Sequence, residues 1–312
     1  YLFESADSSY RFTGSDALIR ANYDHCARYL DYCRSMATDH LVAFGLGDWC
    51  HVDPGRAAPV ELTSSAYFYH AAMLMAEFAT VCGRDPAEFF ELADAIRDRI
   101  NARYYHGDGL YASGEWTALA AMLYFEIAEP AERPRVAERL AAAVRANRHR
   151  ADFGILGAKF VPRALADCGY VDDAFQLIVQ PEFPGWGYWA GQGATTLWED
   201  WRGLQSQNHI MFGDISAWMY EYPGGFSLRR SQPGLTHPYW KPVFPAGLNE
   251  VAATYRLAQG ELRSAWRRED DHIIYAVELP DGMTGTVELP DSSIHPVSGK
   301  RQFTVAVPSG GK

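Results

Sequence analysis

The sequence predicts a mainly α fold followed by a C-terminal all-β domain, and three observations carry that prediction. From about residue 16 to about 222, apolar residues recur at helical spacing. At Pro223-Gly224-Gly225 that periodicity stops. Short alternating runs then take over to the end of the chain, as a half-buried sheet requires. With 312 residues the chain can bury one large core and a smaller one.

Taken in order, ALIRANYDHCARYLDYCRSM (17–36) sets Leu18, Tyr23, Cys26, Leu30 and Cys33 on one stripe. Pro59 sits near the start of a second helix, which Gly83 ends. Asp85-Pro86 opens a third, stopped by the Gly107-Asp108-Gly109 turn. Further helices fit 115–127, 132–147, about 156–168, 171–180 and 208–221, making about eight. Two long loops separate them, 44–58 and 182–207. Helices alternating with such loops suggest hairpins set in a ring, the loops gathered on one rim.

The domains read as 1–225 and 226–312. In the second, EVAATYRL, ELRSAWRR, IIYAVELP, GTVELP and QFTVAV read as strands of an antiparallel sandwich. Ala258-Gln259-Gly260 and Asp281-Gly282 mark tight hairpins, and Trp240 and Trp266 read as core. The proline-rich 226–248 reads as a linker or an edge-forming entry.

Composition narrows the function. A net charge of −11 argues against nucleic acid or an anionic membrane as partner, since both select a basic surface. No run of about 18 apolar residues occurs, and no basic segment followed by an apolar one opens the chain. The start at Tyr1-Leu2-Phe3-Glu4, without Met, reads as a fragment or a processed product, so the compartment stays open. Cys26, Cys33, Cys50, Cys82 and Cys168 are odd in number and scattered, as free thiols are. No P-loop, dinucleotide fingerprint, G-x-S-x-G elbow or H-E-x-x-H occurs, so no cofactor is expected.

The chemistry concentrates in the stretch from Trp186 to Trp218. There Trp186, Tyr188, Trp189, Trp198 and Trp201 crowd around Glu199 and Asp200 in a glycine-rich loop. Aromatic faces stack on sugar rings, and a carboxylate among them can take a proton from water. For any single Trp a core plug is sufficient explanation; the whole cluster favours a site. Glu199 is the best candidate for a catalytic carboxylate, with Asp200 as substitute, and His209 could donate to a sugar hydroxyl. In the 44–58 loop, Asp48 and Trp49 repeat the pairing of acid and indole. Asp48, His51 and Asp53 match no strong metal-ligand spacing. Glu61 reads as a helix start and Tyr67 as core more often than site.

Six segments in order carry a resemblance: GLGDW (45–49), PVELTSSAYF (59–68), GILGAKF (154–160), FPGWGYW (183–189), GATTLWEDW (193–201) and NHIMFGDISAW (208–218). Together they resemble the catalytic domain of bacterial α-L-rhamnosidases of glycoside hydrolase family 78, and 226–312 looks like that family's C-terminal β-sandwich. The resemblance implies an (α/α)6 barrel and inverting hydrolysis of terminal α-L-rhamnosides, in a glycoside or polysaccharide. It puts Glu199 at the general base, His209 at a sugar-binding histidine and Trp49 at a pocket aromatic. Asp48, Tyr67, Trp189 and Trp198 fall in matching motifs and are expected to bind substrate.

Departures accompany it. The family's general acid lies in a motif ending Gly-Trp-Thr-Gly-Asp, which this sequence lacks. Twelve helices close such a barrel and about eight are counted, so an incomplete (α/α)6 barrel, inactive on its own, is expected. The expected function is that of a rhamnosidase carrying the base half of its site. The alternatives are another (α/α)6 exo-glycosidase or polysaccharide lyase, or a degenerate sugar-binding protein.

Overall fold

Ten α-helices precede eight β-strands in the computed structural model, which describes residues 2–229 and 232–306. Val307, the last residue of the QFTVAV run, lies outside the described residues. The chain divides into two compact units, Tyr1–Asp7 with Asp16–Asp214, and Ser8–Ser15 with Ile215–Lys312.

In the first unit the helices differ in how apolar they are, and that difference sorts them. Helix α1 (Leu2–Thr13), of which Leu2–Asp7 belong to this unit, is followed by α2 (Ala17–Met36), α3 (Val60–Cys82) and α4 (Ala87–Tyr104). Then come α5 (Trp116–Tyr124), α6 (Arg133–Ala146), α7 (Ile155–Asp167), α8 (Val171–Val179) and α9 (Trp186–Gly191). Apolar on nearly every side, α3 and α5 must be enclosed; Trp116 through Leu123 are all buried. Accordingly α5 packs against α3, α6 and α7, while α3 is backed by α2 and α4, and α7 by α8. The outer helices keep a polar face. Asp173 ties two of them together: it lies on α8 and accepts from Arg145 of α6 at 2.7–3.0 Å and from His149 at 2.9 Å.

The expected stripe of α2 is off by one residue at its start. Leu18 is 44% exposed and Ile19 is buried in its place, giving Ile19, Tyr23, Cys26, Leu30 and Cys33. At about 100° per residue, Ile19 and Tyr23 nearly align whereas Leu18 points away. Burial pushes both cysteine thiols of that stripe up, Cys26 to about 11. Two helices escaped the sequence reading. α1 buries few residues, Phe3 and Ala6 among them, so its period is faint. α9 is six residues of a Gly-rich loop, made helical by the burial of Trp186 and Trp189. The helix expected at 208–221 begins at Asp214.

A hydrogen bond joins α1 to α3: His70 Nε2 donates to Glu4 Oε1 at 3.0 Å. That bond holds the Glu4 carboxyl down at about 2, against the opposing effect of burial. A carboxyl lowered on folding contributes stability above its unfolded value near 4.5, lost as pH falls towards 2. Glu4→Gln is therefore expected to flatten the fall of melting temperature with pH between about 4.5 and 2. Identical slopes in both proteins, read by circular dichroism, would contradict this.

The second unit holds helix α10 (Asp214–Glu221, all but its first residue) and the strands β1 (Phe226–Ser227), β2 (Tyr239–Trp240), β3 (Glu250–Leu257) and β4 (Gly260–Arg268). These are followed by β5 (His272–Glu278), β6 (Thr284–Glu288), β7 (Ile294–Ser298) and β8 (Lys300–Ala306). They form two sheets, β1-β2-β6-β7 and β3-β4-β5-β8. Both bury side chains in one core, with Trp240 and Val287 from the first meeting Trp266, Tyr275 and Val277 from the second. That is a sandwich, and Trp240 and Trp266 are core. Trp266 donates its indole N–H to Pro223 O at 2.9 Å, satisfying the polar edge of a buried ring. Ala258-Gln259 does close a hairpin, since Leu257 pairs Gly260. Asp281-Gly282 does not. β5 is already flanked by β4 and β8, so the chain crosses there to the other sheet. One pairing, β2 with β6, is parallel rather than antiparallel. Within 226–248, β1 is the edge strand of its sheet and β2 lies next to it, between β1 and β6.

Candidate active site

Helix α7 has Gly154 at its N-cap, a residue with no side chain to cap it. Its first N–H groups must still find acceptors. They find them in the 44–58 loop: Asp48 Oδ2 accepts from Gly154 N at 2.9 Å, and Oδ1 from Leu156 N at 2.9 Å and Gly157 N at 3.2 Å. Ile155 N donates to Trp49 O at 2.9 Å, and Thr117 of α5 donates its hydroxyl to Asp48 Oδ2 at 2.5 Å. Asp48, expected on the sugar, is 4% exposed and engaged with protein donors. Buried Asp152 also pins the loop: Arg56 pairs with it at 2.5 Å and buried His51 Nε2 lies 3.8 Å from it. His51 Nδ1 accepts from Asp53 N and Asp53 Oδ1 from Gly55 N, so these candidate ligands also serve the loop's own backbone.

The tryptophans of the acid loop form its core, not its surface. Trp186, Trp189 and Trp201 are 5% exposed or less and Trp198 is 8%. Their rings pack on one another and on Phe153 and Phe212, with Trp201 to Phe212 at 4.4 Å and Trp189 to Trp201 at 4.9 Å. The indole N–H of Trp186 donates to Phe212 O, that of Trp189 to Trp201 O, and that of Trp201 to Phe153 O, at 2.9–3.1 Å. Large apolar area and satisfied N–H groups make a rigid plug from a loop rich in glycine. Trp189 and Trp198, expected to bind substrate, are thus buried, Trp198 against the ring of Trp189 and Trp189 against those of Trp198, Trp201 and Phe212. Trp49 differs, being 49% exposed.

On that plug the two acids separate by role. Asp200 accepts from Arg202 N, Leu204 N and Gln205 N at 2.8–3.4 Å, so its carboxylate closes its own turn. Half-buried Glu199 accepts at Oε2 from Ser206 N at 3.3 Å, and no bond to Oε1 is seen among the described residues. Glu199 N donates to Ser206 O, and His209 N to Leu197 O, so 197–199 and 206–209 run side by side. That ladder brings Glu199 and His209 onto neighbouring segments. His209 Nδ1 accepts from Met211 N at 3.1 Å, which leaves its other nitrogen to carry a proton and donate.

The two loops meet. Arg202 donates to Val52 O at 3.3 Å, and Trp49, Asp200, Arg202 and Leu204 border one cleft of about 430 Å³. The Cys50 thiol is pushed up by burial and then by the charges of Glu199 and Asp200. Tyr67 lines a second cleft of about 440 Å³, which shares Leu46 and Gly47 with the first. Burial pushes the Tyr67 phenol up to about 12, so it stays neutral and able to donate.

A family model described as the bacterial alpha-L-rhamnosidase 6 hairpin glycosidase domain matches residues 4–222. The chain belongs to this bacterial α-L-rhamnosidase family. The family's C-terminal domain model matches 227–304. An alpha-L-rhamnosidase of Streptomyces avermitilis is 29% identical over 259 residues, 80% of this chain and 25% of that protein. One of Formosa agariphila is 25% identical over 303 residues, 90% of this chain and 32% of the relative. The crystal structure of the Streptomyces avermitilis enzyme complexed with L-rhamnose superposes with a TM-score of 0.88 at 26% identity, covering 95% of this chain and 32% of that one. The alpha-L-rhamnosidase from Dictyoglumus thermophilum gives the same TM-score and identity, over 97% and 38%. The chain thus spans about a quarter to a third of the curated relatives' lengths.

Within this rhamnosidase-family chain, sequence reasoning missed Thr117, Asp152, Arg56 and Arg202. Each acts across the fold on a partner distant in sequence, and nothing in local spacing announces such a partner.

Proposed function

We propose that the protein hydrolyses terminal α-L-rhamnosides with inversion, and that this chain supplies Glu199 as the general base. The observation that carries the reading lies on the acid loop, where the Asp200 carboxylate closes the turn while no bond to Glu199 Oε1 is seen among the described residues. Family membership supports the substrate class. A structural neighbour complexed with L-rhamnose supports the sugar.

In this reading Glu199 takes a proton from a water that attacks the anomeric carbon on the face opposite the leaving group. A second carboxylic acid, roughly 6.5–9.5 Å away to admit that water, protonates the glycosidic oxygen. The motif that carries this acid in the family is not found in the 312 residues, so the proposal assigns to them the base half of the site. His209 donates to a sugar hydroxyl, Trp49 offers the exposed indole face, and Tyr67 donates from the adjoining cleft.

The test is the anomer first released. The full-length protein, given an aryl α-L-rhamnoside and followed by proton NMR, is expected to release β-L-rhamnose before mutarotation. Initial α-L-rhamnose would sink inversion, and no release of rhamnose would sink the activity.

A further inference from the structure

We propose that Asp48 is a positioning residue: by capping helix α7 it holds Trp49 at the cleft bordered by Asp200, the sequence neighbour of Glu199, and it does not itself touch the sugar. This rests on the rhamnosidase reading above. A helix start is ordinarily capped by a Ser, Thr, Asp or Asn next to it in sequence. Here Gly154 stands at that position and the cap comes from 106 residues away. A carboxylate has about four lone-pair sites. Asp48 meets four donors, the N–H groups of Gly154, Leu156 and Gly157 and the hydroxyl of Thr117. None is left for a sugar hydroxyl.

The same arrangement governs the next residue. Trp49 O takes the remaining N–H of the first turn, that of Ile155. A Cβ at position 154 would lie 2.2 Å from Trp49 O and 2.4 Å from Asp48 O, so only glycine lets the loop come this close. Trp49's backbone is therefore clamped while its indole is half exposed, next to the cleft bordered by Asp200. An exposed aromatic on a fixed backbone loses little freedom when it meets a ligand. Asp48 contributes to sugar binding through Trp49.

A double-mutant cycle in the full-length protein separates this from direct contact. Asp48→Asn turns an amide NH2 towards backbone donors, so it loosens the cap. KM for an aryl α-L-rhamnoside is expected to rise about tenfold with kcat changing about twofold or less. In a Trp49→Ala background the same substitution is expected to change KM by less than about twofold. An equal rise in both backgrounds would mean that Asp48 touches substrate itself; an unchanged KM in the first would mean that it does not position Trp49. Either overturns the proposal. Should Asp48→Asn not fold, Thr117→Val removes one donor and is expected to raise KM less, again only with Trp49 present. Should the wild type cleave no rhamnoside, the functional reading fails, and the cap is judged separately. Faster amide exchange at 154–157 in the variant, with a shifted fluorescence contribution of Trp49 (the difference from Trp49→Phe), would uphold it. Wild-type exchange and fluorescence would reject it.

Discussion

Glu199→Gln is expected to lower kcat on an aryl α-L-rhamnoside by about 10²–10⁴-fold, with KM little changed. Glutamine keeps the shape and the hydrogen bond from Ser206 N, and it removes only the ability to accept a proton from water. The loss belongs to the transition state and not to binding. Asp200→Asn provides the contrast. Its carboxylate accepts three backbone N–H groups of its own turn, so the variant should melt at a lower temperature and lose activity in proportion to the disturbed loop. Steady-state kinetics on both variants decides the matter. Near-normal turnover in Glu199→Gln, or a larger loss in Asp200→Asn, would move the base to the other acid.

Trp201→Ala is expected to destabilise the first unit by about 3–5 kcal/mol, as truncation of a buried Trp does. The ring is 1% exposed, packs on Phe153, Trp186, Trp189 and Phe212, and donates to Phe153 O. For a unit of this size that corresponds to a melting temperature lower by roughly 6–20 °C. Calorimetry checks it. A site residue would behave oppositely, raising KM at unchanged melting temperature, and that outcome would restore the sugar-facing reading of the cluster. Trp49→Ala should show that opposite behaviour, since its indole is half exposed.

Much of the fold was legible because burial leaves a local rhythm. The stripe Tyr23, Cys26, Leu30 and Cys33, the Gly83 stop and the alternation of β3 and β4 each reflect one face meeting a core, so neighbours in sequence report it. Where burial is faint or contradicts propensity the rhythm fails, as in α1 and in α9. The Asp281-Gly282 turn shows another limit. A turn signal states that the chain reverses and is silent on which strand it then joins.

The acid loop divides in the same way. That Glu199, His209 and a crowd of tryptophans belong together is written in one continuous stretch, and the family's motifs run along it. Sequence by itself determined the helical and β portions, the family, and a short set of candidate residues. Only the tertiary structure decided which neighbours each candidate has. Trp189 and Trp198 turned inward because their rings had partners 4.9–5.5 Å away. Asp48 became a cap because a helix begins beside it that lies 106 residues on in the chain. Its pairing with Trp49 looks like a sugar contact in one dimension. In three, four donors converge on the carboxylate, and Trp49 is left as the exposed face.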